Sequence, residues 1–224
     1  MLYQVDTLPN SKPKGISIAH LFAQFISILT HPLLMCTYFT AIVIRYYPFL
    51  VELPPQVLNI KFVGIIFVIT FLLPLAAIIV MKWSRKLVKA LQMESKEERV
   101  MPFFFMTLFY GLTVYMLNSQ WGLSGAFWLS IVMMAILLLL LSCITIFFKI
   151  SAHSAGWGGL LGFIFTFQYI TPAVGGLHAL IFIFLCTGLA MTARLFLGAH
   201  SPKEIYSGWL LGFIVCAGGV MVFI

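Results

Sequence analysis

Residues 124–147, SGAFWLSIVMMAILLLLLSCITIF, decide the fold. They contain no Asp, Glu, Lys or Arg, and as a helix rising 1.5 Å per residue they would run about 36 Å. The hydrocarbon core of a bilayer is about 30 Å thick. A continuous apolar run of this length therefore reads as a membrane-crossing helix. A transmembrane strand would need only about ten residues, alternating polar and apolar, so a β-barrel is excluded.

Outward from that stretch the pattern repeats. The chain of 224 residues is 62% hydrophobic and 8% charged, with a mean hydropathy of +1.09, which no soluble domain carries. The expected fold is all-α, a polytopic transmembrane bundle of about six or seven spans. A polar tail over residues 1–16 should precede one membrane domain over 17–224. Apolar run length places spans near 17–47, 60–82, 101–117, 124–147, 157–172, 177–196 and 205–224. The first is overlong and holds His31-Pro32, so it either begins as an interfacial helix on 17–30 or kinks at the proline. It is also too long for a signal-peptide core. In the fifth, Gly158, Gly159 and Gly162 invite close helix packing.

A formal charge of +7 would suit a polyanion-binding protein, but no soluble basic patch exists to hold nucleic acid. Topology accounts for it: with seven crossings, eleven of the thirteen lysines and arginines fall on one side, leaving Arg45 and Lys61 opposite. The positive-inside rule makes the charged face cytoplasmic, as expected for a protein of a bacterial inner membrane, with anionic lipids as neighbours. The four cysteines, Cys36, Cys143, Cys186 and Cys216, lie in apolar spans and have neither metal-ligand nor disulfide spacing. They read as small core residues. His20, His31 and His178 are isolated in sequence and read as interfacial or packing residues, and the tryptophans as interfacial belts.

Three charged segments converge on the cytoplasmic face. The first, from Lys96 to Pro102, reads either as a solvated loop leading to a proline in the first helical turn or as Arg99, with Lys96 or Lys89, clamping a phosphate. The second, from Lys149 to Gly156, contains Ser151 and His153. Either serine caps a helix, or the helix start and Ser151 bind a phosphate oxygen while His153 acts as an acid. The third holds Arg194, His200 and Glu204. Arginine can bind phosphate, histidine can attack it, and a carboxylate four positions on can orient that histidine on the next helical turn. Such groups at a membrane boundary are costly, so a functional role is the default reading.

These segments resemble the three-motif signature of the type 2 phosphatidic acid phosphatases, integral-membrane lipid phosphatases. The third motif is matched by Ala193-Arg194, five residues, His200, three residues and Glu204, with Glu in place of Asp and Ala193 in place of Ser. The second is matched in part by Ile150-Ser151-Ala152-His153. The first is matched only at Arg99, since Gln92 stands at the expected lysine. The resemblance covers residues 89–208. It implies His200 as a nucleophile forming a phosphohistidine, Glu204 orienting it, and His153 protonating the leaving oxygen. Arg194, Arg99, Ser151 and the Ala152 amide would bind the phosphoryl group, with Lys96 a candidate for the missing lysine. It also implies a metal-independent reaction without cofactor, on a lipid phosphomonoester or pyrophosphate.

A non-enzymatic binder or transporter of phosphorylated lipids on the same scaffold is the rival reading, motivated by the altered first motif. A prenyl transferase is disfavoured, because the chain has no paired Asp-rich motif to hold magnesium and pyrophosphate. Neither the particular lipid nor the oligomeric state is encoded in any motif.

Overall fold

The computed structural model describes residues 17–53, 56–58, 60–83 and 100–223. It is all helical, with 85% helix and no strand among the described residues. In chain order the helices are α1 (Ile18–Leu29), α2 (Met35–Tyr46), α3 (Ile60–Phe67), α4 (Leu73–Trp83) and α5 (Val100–Trp121), followed by α6 (Ala126–Phe147), α7 (Ala152–Ile170), α8 (Gly176–Phe196) and α9 (Pro202–Phe223). The polar tail and the loop holding Lys89, Lys96 and Arg99 lie outside the described residues.

The first expected span is two helices. Thr30 ends α1, and His31 caps the short turn Pro32–Leu34, its Nδ1 accepting from Leu33 N–H at 3.3 Å. Proline at the first position of that turn gives up no hydrogen bond, because that N–H would have had no partner within the turn. Farther along, α3 passes into α4 through a widened π turn, Val68–Leu72. It falls just before Pro74, whose ring would clash with the Thr70 carbonyl in a regular helix.

Five stretches among the described residues are long and apolar enough to cross a membrane: Ile18–Tyr46, Ile60–Val80, Ala126–Phe147, Gly176–Phe196 and Pro202–Val222. They are compatible with an integral membrane protein. Two helices in the expected count of seven are not among them. One is α5, although its residues 100–117 run without Asp, Glu, Lys or Arg; the other is α7. In α7, 12 of 19 residues are buried, so its flanks face protein and need not be as apolar as a lipid-facing surface.

Helix α7 is the axis of the bundle and packs most extensively on α9, then α8. Glycines allow the closest approach, as their spacing suggests. A Cβ on Gly162 would lie 2.8 Å from the Phe213 carbonyl, and one on Gly159 2.8 Å from Cys216 Sγ. Cβ atoms on Gly158 and Gly212 would run into the carbonyls of Trp209 and Ala155. The aromatic core gathers on Phe39, whose ring centroid lies 5.0 Å from that of Phe163 and 5.7 Å from that of Phe127. Cys36 and Cys216 are buried as expected for core residues, whereas Cys143 is exposed on the outer face of α6.

The two ends of the bundle differ. At one, Tyr47 donates to Gln168 at 2.7 Å, and Gly125 N–H, at the start of α6, donates to the Glu52 carboxylate at 3.1 Å. At the other end meet the C-termini of α6 and α8 and the N-termini of α7 and α9. The residues expected to carry chemistry, where described, all lie there.

Candidate functional site

The turn between α8 and α9 explains the spacing of the third segment. Gly198 has φ +62°, the left-handed conformation that ends helices. Ala199 N–H returns to the Arg194 carbonyl at 3.2 Å, and Gly198 N–H to the Leu195 carbonyl at 2.9 Å. These are the paired bonds of a Schellman motif, and they hold Arg194 in the last turn of α8. Ser201 then opens α9 with a capping box: Glu204 N–H donates to Ser201 Oγ at 3.4 Å, and Ser201 N–H donates to Glu204 Oε2 at 3.3 Å. Pro202 occupies the first helical position, where its missing N–H does no harm.

His200 sits between these two motifs. Its Nδ1 lies 2.8 Å from Glu204 Oε2, and Lys149 Nζ lies 3.9 Å from the same oxygen. With the carboxylate as acceptor, Nδ1 carries the proton and Nε2 holds the basic lone pair. His200 is only 9% exposed.

The second segment is stitched to the third through the backbone. Ser151 N–H donates to the Glu204 carbonyl at 3.1 Å. A Cβ on Gly208 would lie 2.6 Å from the Ser151 carbonyl, so glycine is what lets α9 pass so close to this stretch of chain. Ser151 caps α7: its Oγ accepts from Ser154 N–H at 3.4 Å, and the residue is fully buried. Ala152 packs beside Leu33, Phe103 and Met106.

His153, in the first turn of α7, points to α1. Its Nε2 lies 3.1 Å from the Ser27 carbonyl and 3.4 Å from Ser27 Oγ. Arg194 Nη1 donates to that same Oγ at 2.9 Å. His153 is within electrostatic range of Arg194, His31 and His200. Arg194 and His153 thus meet on one hydroxyl, and His200 with Glu204 lies six residues beyond Arg194, around the Schellman turn. Arg99 and Lys96 lie outside the described residues.

A cleft of about 830 Å³ opens beside this cluster, and Arg194, His153, Ser27, His31, Gln24 and His20 supply its polar lining. His200 is not among the residues that line it. The histidines that read as isolated in sequence are therefore differently placed: His31 packs edge-on against His153 with ring centroids 5.5 Å apart, and His20 faces the same cleft. Only His178 stays apart, exposed at the far end of the bundle. Reading each residue singly overlooks Ser27 and His31. Their signal is the spacing of His20, Gln24 and Ser27, at steps of four and three on one face of α1, continued four residues on by His31 in the turn after the helix.

No known protein family, curated protein or solved structure matches the chain.

Proposed function

We propose that the protein is a membrane lipid phosphatase that hydrolyses a phosphomonoester or pyrophosphate lipid through a phosphohistidine intermediate. The observation that carries this reading is the 2.8 Å pairing of His200 Nδ1 with Glu204, one Schellman turn beyond Arg194. It leaves the nucleophilic lone pair on Nε2. The likeness of the second and third segments to the type 2 phosphatidic acid phosphatases supports it.

In the proposed reaction His200 Nε2 attacks phosphorus, and the bond to the leaving lipid oxygen breaks as His153 supplies its proton. Water then gives a proton to His153 as its oxygen attacks phosphorus; the bond between Nε2 and phosphorus breaks, inorganic phosphate leaves, and both histidines return to their starting states. Arg194 stabilises the charge on the phosphoryl oxygens, joined by Arg99 and Lys96 from the first segment. The Ser151 and Ala152 end of α7 adds the polarity of a helix start. A substrate oxygen must replace Ser27 as the partner of His153 Nε2, so the pairing to Ser27 belongs to the resting site.

Six or seven crossings, with the site facing the cytoplasmic side of a bacterial inner membrane, complete the proposal. The excess of lysine and arginine at that end supports this orientation. The lipid would enter laterally, its phosphate at the polar end and its chains in the bilayer.

A second reading, a binder of phosphorylated lipids without turnover, is favoured by one feature: Ser27 already occupies both His153 Nε2 and Arg194 Nη1. Purified protein in nanodiscs separates the two. The phosphatase releases inorganic phosphate from phosphatidic acid or a polyprenyl diphosphate without added metal. It also forms an acid-labile, alkali-stable phosphoprotein that disappears in His200→Ala. Saturable lipid binding with no phosphate release across both substrates would establish the binder instead.

A further inference from the structure

The cleft is too large for one phosphoryl group and has two polar walls. Arg194 and His153 form one, from α8 and α7. The other combines α1, with His20, Gln24 and Ser27, and the turn that follows it, where His31 lines the same space. The opposite face of α1 shows Ile18, Phe22 and Phe25 to the surroundings. Helix α1 is therefore amphipathic, with its polar face available to the site.

The chemistry of the α1 wall is specific. His31 Nδ1 accepts from Leu33 N–H at 3.3 Å, which fixes the neutral ring as the Nε2–H tautomer. The imidazole lining the cleft is thus a hydrogen-bond donor. Gln24 is exposed at the cleft and adds an amide N–H₂, and His20 adds a second ring one turn earlier. No Asp or Glu occurs among the described residues that line the cleft. An ammonium headgroup would be left without a counter-charge there, whereas a second anion would meet donors on both walls.

We infer that the polar stripe of α1, together with His31 in the turn just past its end, forms a second anion subsite with His31 as its main donor, so that the cleft selects a lipid diphosphate over a lipid monophosphate. This rests on the lipid-phosphatase reading for the reacting phosphate. The subsite itself is a matter of binding and can be tested separately. Ser27 anchors the wall by bridging to Arg194, and His31 and Gln24 face the distal phosphate.

The test uses the full chain in nanodiscs with methylenediphosphonate and inorganic phosphate as probes. Affinity is read by isothermal titration. The wild type should bind methylenediphosphonate about tenfold more tightly than phosphate, the worth of one charge-assisted hydrogen bond. His31→Asn keeps a side-chain acceptor for the Leu33 cap and draws the remaining amide donor back from the cleft, because its side chain is shorter than the imidazole, so it tests the reach of the Nε2 donor. It should abolish the tenfold preference, and Gln24→Ala, at an exposed position, should weaken it. Equal affinities for the two probes in the wild type, or a parallel loss of both in His31→Asn, would overturn the subsite. In His200→Ala the diphosphonate preference should persist while lipid hydrolysis stops. If no lipid is hydrolysed by any variant but the preference exists and depends on His31, the phosphatase reading fails and the subsite stands. If lipid phosphate is released but no preference exists, the subsite fails alone.

Discussion

Arg194 Nη1 donates to Ser27 Oγ at 2.9 Å, joining residues 167 positions apart. The bond ties the last turn of α8 to the buried face of α1, and Ser27 touches His153 at the same time. Ser27→Ala removes an acceptor from a half-buried guanidinium at the wall of the cleft. A hydrogen bond to a charged group is worth about 1.5–3 kcal/mol. The variant should therefore melt at a lower temperature in detergent, with a loss of stability in that range. Ser27→Thr, which keeps the hydroxyl, should recover most of it. An unchanged melting midpoint in Ser27→Ala would mean the bond contributes nothing to the fold.

His200 and Glu204 divide into two tests. His200→Ala should reduce phosphate release by roughly a thousandfold or more, because nothing replaces a covalent nucleophile. Glu204→Gln keeps a hydrogen-bond acceptor for Nδ1 but removes the charge that favours the imidazolium formed when Nε2 is attached to phosphorus. Its kcat should fall by at least about tenfold, with KM little changed, since it acts only as charge develops. Steady-state phosphate release across lipid concentrations measures both, and wild-type kcat in Glu204→Gln would remove Glu204 from the mechanism.

How much of this is legible in the sequence depends on whether the signal is local. Pro32 interrupting an apolar run predicts a break, and the break is there. Leu197-Gly198 followed by Ser201-Pro202-Lys203-Glu204 encodes a helix stop and a capping box, so the geometry of Arg194, His200 and Glu204 follows from short-range rules. Ser151 is ambiguous in sequence because its burial depends on Glu204 and Gly208, more than fifty positions away. The role of α1 is hidden for a different reason. His20, Gln24, Ser27 and His31 stand in a highly apolar segment, where run length dominates the reading and a four-residue polar face is diluted. The central position of α7 leaves its trace mainly in its glycines, because a helix buried over most of its surface shows little of a lipid-facing stripe.

Gly198 tests the turn independently of the site chemistry. Its φ of +62° is costly for any side chain, while a Cβ there would meet no atom within 4 Å. Gly198→Ala should thus cost about 1–2 kcal/mol from backbone conformation alone. It should also lower phosphate release, because a relaxed turn changes the placement of His200 relative to Arg194. Thermal unfolding and turnover on the same preparation check the two effects. Full activity with lowered stability would show that the turn shapes the fold and not the reaction.

The contact between α7 and α9 yields a prediction in which helix propensity and packing oppose each other. In a helix interior alanine is favoured over glycine by about 1 kcal/mol, so Gly→Ala at an open position should stabilise. Gly218 on α9 is such a position, where an added Cβ would meet nothing within 4 Å. Gly212, on the same helix, has its Cβ direction blocked by the Ala155 backbone of α7, which cannot rotate away as a side chain would. Gly212→Ala must then push the two helices apart, and overpacking of this kind costs about 1–3 kcal/mol. Because α7 and α9 carry Ser151 and Glu204 at their joined ends, the same separation should lengthen the Ser151–Glu204 backbone bond and reduce phosphate release. Gly218→Ala should leave turnover intact and raise the melting midpoint. If both variants behaved alike, the glycines of α9 would be acting through propensity alone, and the close α7–α9 approach would not be what holds the site together.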